Sequence, residues 1–182
     1  MRRQYDTGLV LHALAFAARK HRDQRRKDRH ASPYINHPIA LAETLWHVGG
    51  VRDARTLAAA LLHDTIEDTE TTRAELARNF GKEVASVVAE VTDDKSRPKM
   101  TRKRLQIEHA PHLSRRAKLV KLADKISNLS DVLASPPVAW SLARRRQYFD
   151  WARAVVEAMG PVNAPLERRF RALCRRRPGG AV

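Results

Sequence analysis

Apolar residues recur along this chain at three- and four-residue steps and nowhere in sustained alternation, which predicts helices and no strand. Leu9, Leu11, Leu14, Phe16 and Ala17 begin an apolar-rich helix that gives way near the polar stretch His21 to His30. Pro38 suits a first-turn position, where its missing N–H is no loss, and opens a helix that closes at Gly49-Gly50. Asp53 is placed to cap a third, whose Leu57, Ala58, Leu61 and Leu62 form one buried face. Thr72 and Glu75 have capping-box spacing before a short helix ended by Gly81, and another runs from about Lys82 to Thr92. The clearest stripe is Leu119, Leu122, Ile126, Leu129 and Leu133, between a start at Ser114 and a stop at Pro136-Pro137. Val138 to Met159, broken at Gly160-Pro161, and Asn163 to Arg175 complete the set. With no internal repeat and no linker, the pattern predicts an all-α, multi-helix bundle in one domain over 1–182. Its core is expected at about 5–175, with 176–182 as a flexible basic tail.

Composition changes this picture little. At 182 residues and 43% hydrophobic, the chain can bury a core without disulfides, and its single Cys174 excludes a disulfide framework. The most apolar early run, Leu9 to Ala18, contains His12 and is too short to span a bilayer, so no membrane partner and a cytoplasmic location are expected. Charge matters more. A formal +15 attracts polyanions, whether nucleic acid, anionic lipid or a small polyphosphate, although an Arg-biased solubilising surface reads the same way.

The residues that carry chemistry are acids and imidazoles. Asp64 to Glu70 holds four acids in seven residues directly after His63, and clustered carboxylates raise one another's pKa unless a cation offsets them. On a continuing helix Asp64, Glu67 and Asp68 would share one side; a solvated acidic helix end is the plain alternative. His63 and Asp64 follow the apolar run Ala58 to Leu62, and His37 precedes Pro38 at a helix start. Asp124 stands among Leu122, Ala123 and Ile126, where a carboxylate needs a metal or a partner such as Lys121 or Lys125. Two imidazoles and two carboxylates without a thiolate suit manganese, iron, cobalt or zinc, with room left for water. Lys95 to Arg104 adds six positive charges and no negative ones, either a phosphate clamp or a solvated loop.

His37, His63-Asp64 and Asp124 resemble the H…HD…D signature of the HD-domain phosphohydrolases. The text around them is more specific: Arg26-Lys27-Asp28, Pro33-Tyr34-Ile35-Asn36-His37-Pro38, Ala60 to Thr69, Val91 to Lys95 and Lys118 to Lys125. These look like the hydrolase domain of the RelA/SpoT superfamily, in its small stand-alone, metazoan-SpoT-homologue-like form, over about Phe16 to Glu167. The resemblance implies an α-helical HD-domain bundle that removes the 3′-pyrophosphate of guanosine tetra- and pentaphosphate (ppGpp and pppGpp), usually with manganese. It implies that His37, His63, Asp64 and Asp124 bind the metal, and that Glu67 and Asp68 position and deprotonate the attacking water. Arg26, Lys27, Lys99, Asn128, Arg144 and Tyr148 fall where the family contacts nucleotide and phosphates. Arg29-His30-Ala31-Ser32 stands where the family has a Gly-containing turn before Pro-Tyr, at preserved length. With no room for a synthetase domain, a hydrolase-only role is expected.

Two other readings use the same residues differently. Another HD-type phosphohydrolase, such as one taking the 2′-phosphate of NADPH, would share the metal site. A nucleic-acid-binding helical protein would use the charge instead, chiefly the end after Pro165 with six Arg and one Glu. That end has no helix-turn-helix spacing, so a nucleic-acid partner is not expected.

Overall fold

The computed structural model describes residues 6–179. Among them the chain forms ten α-helices, one 3-10 turn and no strand. They are α1 (Thr7–Lys20), α2 (Asn36–His47), α3 (Ala54–Leu62), α4 (Thr65–Asp68), α5 (Arg73–Phe80), α6 (Lys82–Val91), α7 (Lys99–His109), α8 (Arg115–Ala134), α9 (Leu142–Met159) and α10 (Ala164–Arg175), the 3-10 turn being Ala110–His112. None of these helices is long and apolar enough to cross a membrane.

Helix starts follow local chemistry. Thr72, Ser114, Ser141 and Asn163 each accept the N–H three residues on, satisfying a donor that the first turn leaves open. At Thr72 only half of a capping box forms, because the Glu75 carboxylate instead pairs with Lys20 at 3.1 Å. Asp53 holds the cap position of α3 but directs its carboxylate to the Thr56 hydroxyl and the Arg116 guanidinium. Gly81, at φ 85°, separates α5 from α6, since a side chain there would be strained.

The core forms around α3 and α8. Every residue of α3 from Thr56 to Leu62 is buried, and its three consecutive alanines let α1, α2 and α6 approach closely. Leu119, Leu122, Ile126 and Leu129 of α8 are buried too, facing α2, α6, α9 and α10. Each such Leu contributes roughly 1.5–3 kcal/mol by leaving water. Because both helices are packed on several sides, polar groups they carry inward are held rigidly.

Two elements differ from the sequence pattern. The basic stretch becomes helical from Lys99, and α7 has no buried residue, so no apolar stripe announces it. Helix α9 begins at Leu142 rather than Val138: Trp140 N–H closes a turn onto Pro137 C=O at 2.9 Å, and Ser141 caps the helix. Of the expected basic tail, 176–179 lies against α9 through Arg146 on the Pro178 and Gly179 carbonyls and Arg177 on Asp150; 180–182 and residue 5 lie outside the described residues.

Candidate metal centre and its cleft

The inner helices bring His37, His63 and Asp124 together. His37 sits in the first turn of α2, His63 directly after α3 and Asp124 in the middle of α8, with donor atoms within 4.8 Å of one another. Both imidazoles are buried and anchored through Nδ1, His37 to Ser127 Oγ at 3.2 Å and His63 to Ala60 C=O at 2.8 Å. Such anchoring fixes the ring and turns Nε2 toward the shared space. Asp64 stands beside this trio. Its Oδ2 accepts the Tyr34 hydroxyl and lies 2.8 Å from His63 Nε2, yet that buried nitrogen has no hydrogen bond because the alignment is wrong. His37 Nε2 likewise lies 3.3 Å from Asp124 Oδ1, and nitrogen and oxygen donors that converge in this way fit a divalent cation between them.

Charge in this pocket is strongly coupled. Burial alone would lower the His63 imidazole, but the carboxylates of Asp64 and Asp124 override it and hold it up to about 9. His37 is lowered, with burial outweighing Asp124. Burial acts to raise Asp64 and Asp124, yet His63 holds the first, and Lys125 with His37 the second, below the usual carboxylate range. For Tyr34, burial and the Asp64 charge push the phenol well up, so it stays a donor.

The acidic pair does not continue α3. The chain turns at His63-Asp64 and makes the single turn α4, held by Thr65 Oγ1 on Leu62 C=O and Asp68 N–H on Asp64 C=O. Glu67 accepts the Asp93 backbone N–H at 2.9 Å and faces Arg102 at 3.7 Å. Burial, reinforced by the charges of Asp64, Asp93 and Asp68, pushes Glu67 up to about 7. Asp68 pairs with Lys95, and Gln24 holds its carbonyl at 2.6 Å.

His37 reaches the wall of a cleft of about 580 Å³, whose lining includes Arg25, Arg26, Lys27, Asn128, Trp140 and Tyr148. Asn128 lies one turn after Asp124 and donates to its Oδ1 at 2.5 Å. Arg26 is held by Asp131 and Asn128, and Lys27 is exposed. Lys99 and Arg144 line instead an adjoining cleft of about 480 Å³, which shares Trp140 and Tyr148 with the first. The Tyr148 ring sits 5.3 Å from both Trp140 and Trp151. The basic stretch thus splits: Lys95, Arg97 and Arg104 face carboxylates of the chain, Lys99 and Lys103 line the second cleft, and Arg102 does both. Asp131, Trp151 and Gln106 gave no sequence signal, because Arg26, Lys103 and Lys125, which they meet, lie far away along the chain.

A model of the HD domain matches residues 13–148. The chain is 55% identical over 165 residues to the guanosine-3′,5′-bis(diphosphate) 3′-pyrophosphohydrolase MESH1 of Xenopus tropicalis, covering 91% of this chain and 92% of that protein. It is 53% identical over 168 residues to the Homo sapiens protein of the same name, covering 92% and 94%. A solved structure described as a metazoan ortholog of SpoT that hydrolyses ppGpp superposes with a TM-score of 0.92 at 45% identity, covering 96% of this chain and 98% of that one.

Proposed function

The chain belongs to the HD-domain family, and from that premise we infer that it is a guanosine-3′,5′-bis(diphosphate) 3′-pyrophosphohydrolase dependent on a divalent metal. The geometric observation that carries this reading is that the His37, His63 and Asp124 cluster opens through His37 onto a cleft bearing Arg25, Arg26 and Lys27. A volume of about 580 Å³ is within the range for a small-molecule ligand, and the three cations suit phosphates.

His37, His63, Asp64 and Asp124 would hold the ion, with manganese the metal expected. When bound, a divalent ion there supplies a Lewis acid for a phosphoryl oxygen and acidifies water. The protein does the rest. Glu67, with a carboxyl held near neutrality, takes the proton of the attacking water, and Asp68 orients that water. The water oxygen bonds to the phosphorus on the ribose 3′-oxygen, and the P–O3′ bond breaks. The 3′-oxygen gains a proton, leaving GDP or GTP and pyrophosphate. Arg26, Lys27, Lys99 and Arg144 offset phosphate charge, while Asn128 lines the first cleft and Tyr148 both. A cytoplasmic location goes with this reading.

Purified protein, stripped by a chelator and reloaded with manganese, should release pyrophosphate from ppGpp, and should lose that release on stripping. Absence of pyrophosphate with the reloaded protein, with phosphate release from NADPH in a parallel reaction, would move the substrate to a 2′-phosphate.

Metal loading should also release a proton. His63 is held up to about 9 and must be neutral to ligate, so near pH 7.5 the incoming ion displaces one proton. Affinity for manganese is therefore expected to rise about tenfold per pH unit up to the His63 value of about 9 and to flatten above it. Calorimetry in buffers of different ionisation enthalpy measures this directly; a buffer-independent heat at pH 7.5 contradicts it.

A further inference from the structure

Lys125 is an ammonium almost wholly removed from water, 2% exposed, one residue after Asp124. Buried ammonium groups are costly unless their donors are used. Its Nζ donates to Asp124 Oδ2 at 3.1 Å and to Gln106 Oε1 at 3.1 Å, and lies 4.2 Å from the centre of the Trp151 ring. Gln106, on α7, uses its other end as well. Its Nε2 donates to both carboxylate oxygens of Asp93, at 2.9 and 2.8 Å, and the Asp93 backbone N–H donates to Glu67 Oε2 at 2.9 Å. One amide thus connects the candidate metal ligand Asp124, through Lys125, with the candidate proton acceptor Glu67, through Asp93.

The chemistry of the two neighbours fixes which way the amide points. An ammonium requires an acceptor and a carboxylate requires a donor, and a carboxamide is the side chain that presents both. We propose that Gln106 is a positioning residue for the hydrolytic centre, setting Asp124 and Glu67 at once from a helix that carries neither of them. Without its carbonyl, Lys125 retains Asp124 as its anionic partner and is drawn onto Oδ2, competing there with a cation. Without its amide N–H groups, Asp93 loses its clamp, and the N–H that holds Glu67 shifts with it. Helix α7 also carries Lys99 and Lys103 into the second cleft, so this link joins the phosphate-facing helix to the metal site.

This inference rests on the function proposed above, and the test separates the two. Wild-type protein is measured first for manganese affinity by calorimetry and for ppGpp hydrolysis; failure of either is failure of the assigned function. In Gln106→Glu the new carboxylate faces Asp93, and kcat should fall about 10–100-fold with KM within about twofold, the size usual for a group that orients a metal ligand. Adding Asp93→Asn restores the donor-to-acceptor match with roles exchanged, and the double variant should recover at least about tenfold of that loss. In Gln106→Met, which keeps volume without polarity, manganese should bind about 10–100-fold more weakly, and the thermal midpoint should fall by roughly 5–10 °C with the protein still folded at the assay temperature. Should Gln106→Glu fail to fold, Gln106→Met carries the test alone. Wild-type kcat and manganese affinity in these variants, or a Gln106→Glu loss that Asp93→Asn leaves unrelieved, overturns the positioning role.

Discussion

Asp64→Ala is expected to abolish manganese binding and ppGpp hydrolysis together. Asp64 lies at the turn between α3 and α4, where its Oδ2 meets the Tyr34 hydroxyl and stands 2.8 Å from His63 Nε2. Removal deletes an anionic donor and leaves His63 with less opposing charge, so the imidazole loses much of the support that holds it above its ordinary value. Losing the stabilisation that an ion gives a developing phosphoryl charge amounts to about 4 kcal/mol, roughly a thousandfold in kcat. Tyr34 also loses its acceptor, which costs on the order of 1–3 kcal/mol of stability. Titration of the stripped variant with manganese and a pyrophosphate-release assay read both effects. Hydrolysis at the wild-type rate would remove Asp64 from the centre.

Asp68→Asn should separate what Asp64→Ala loses together: manganese binds as in the wild type, and turnover stops. Asp68 belongs to α4 and is not part of the donor cluster; its carboxylate pairs with Lys95 while Gln24 fixes its backbone. The amide keeps the shape and can still accept from Lys95, so the turn should remain in place. It cannot carry the negative charge that orients the attacking water for Glu67, and a misplaced nucleophile typically lowers kcat about 10²-fold or more. Unchanged calorimetric affinity with a collapsed kcat is the expected pair of results. Weakened manganese binding would make Asp68 a ligand, and undiminished kcat would remove it from the chemistry.

Much of the fold is legible in the sequence because its signals are local. Ser114, Thr72 and Asn163 act on the backbone three residues ahead, and the stripe from Leu119 to Leu129 lies within one helix. Helix α7 is not legible, since it buries none of its residues and its charges read as a loop. The start of α9 is misread because Val138 looks like core but is exposed beside a proline-led turn. The same division runs through the site. His37, His63 and Asp124 are conspicuous because each is an ionisable group beside buried apolar neighbours. Gln106, Asp131 and Trp151 are ordinary residues by type and spacing, and they become informative only when α7, α8 and α9 bring them to Lys125 and Arg26. Lys125 is legible only as a possible partner of Asp124; its second contact, on α7, has no trace in the local text.

The loop before Pro33 holds a strained residue at its tip and is braced at its base. Ala31 adopts φ 47°, a left-handed backbone that glycine enters without steric cost. Alanine there is strained by about 1–2 kcal/mol. It also narrows the unfolded ensemble, which returns about 0.4–1 kcal/mol. On balance Ala31→Gly should stabilise the protein by up to about 1 kcal/mol, read as a small rise in thermal midpoint. Arg26 N–H to Ser32 C=O at 2.8 Å and Tyr34 N–H to Gln24 C=O at 3.1 Å brace the loop at its base. Residues at the tip can therefore be replaced while Arg26 and Tyr34 keep their places on the wall of the cleft.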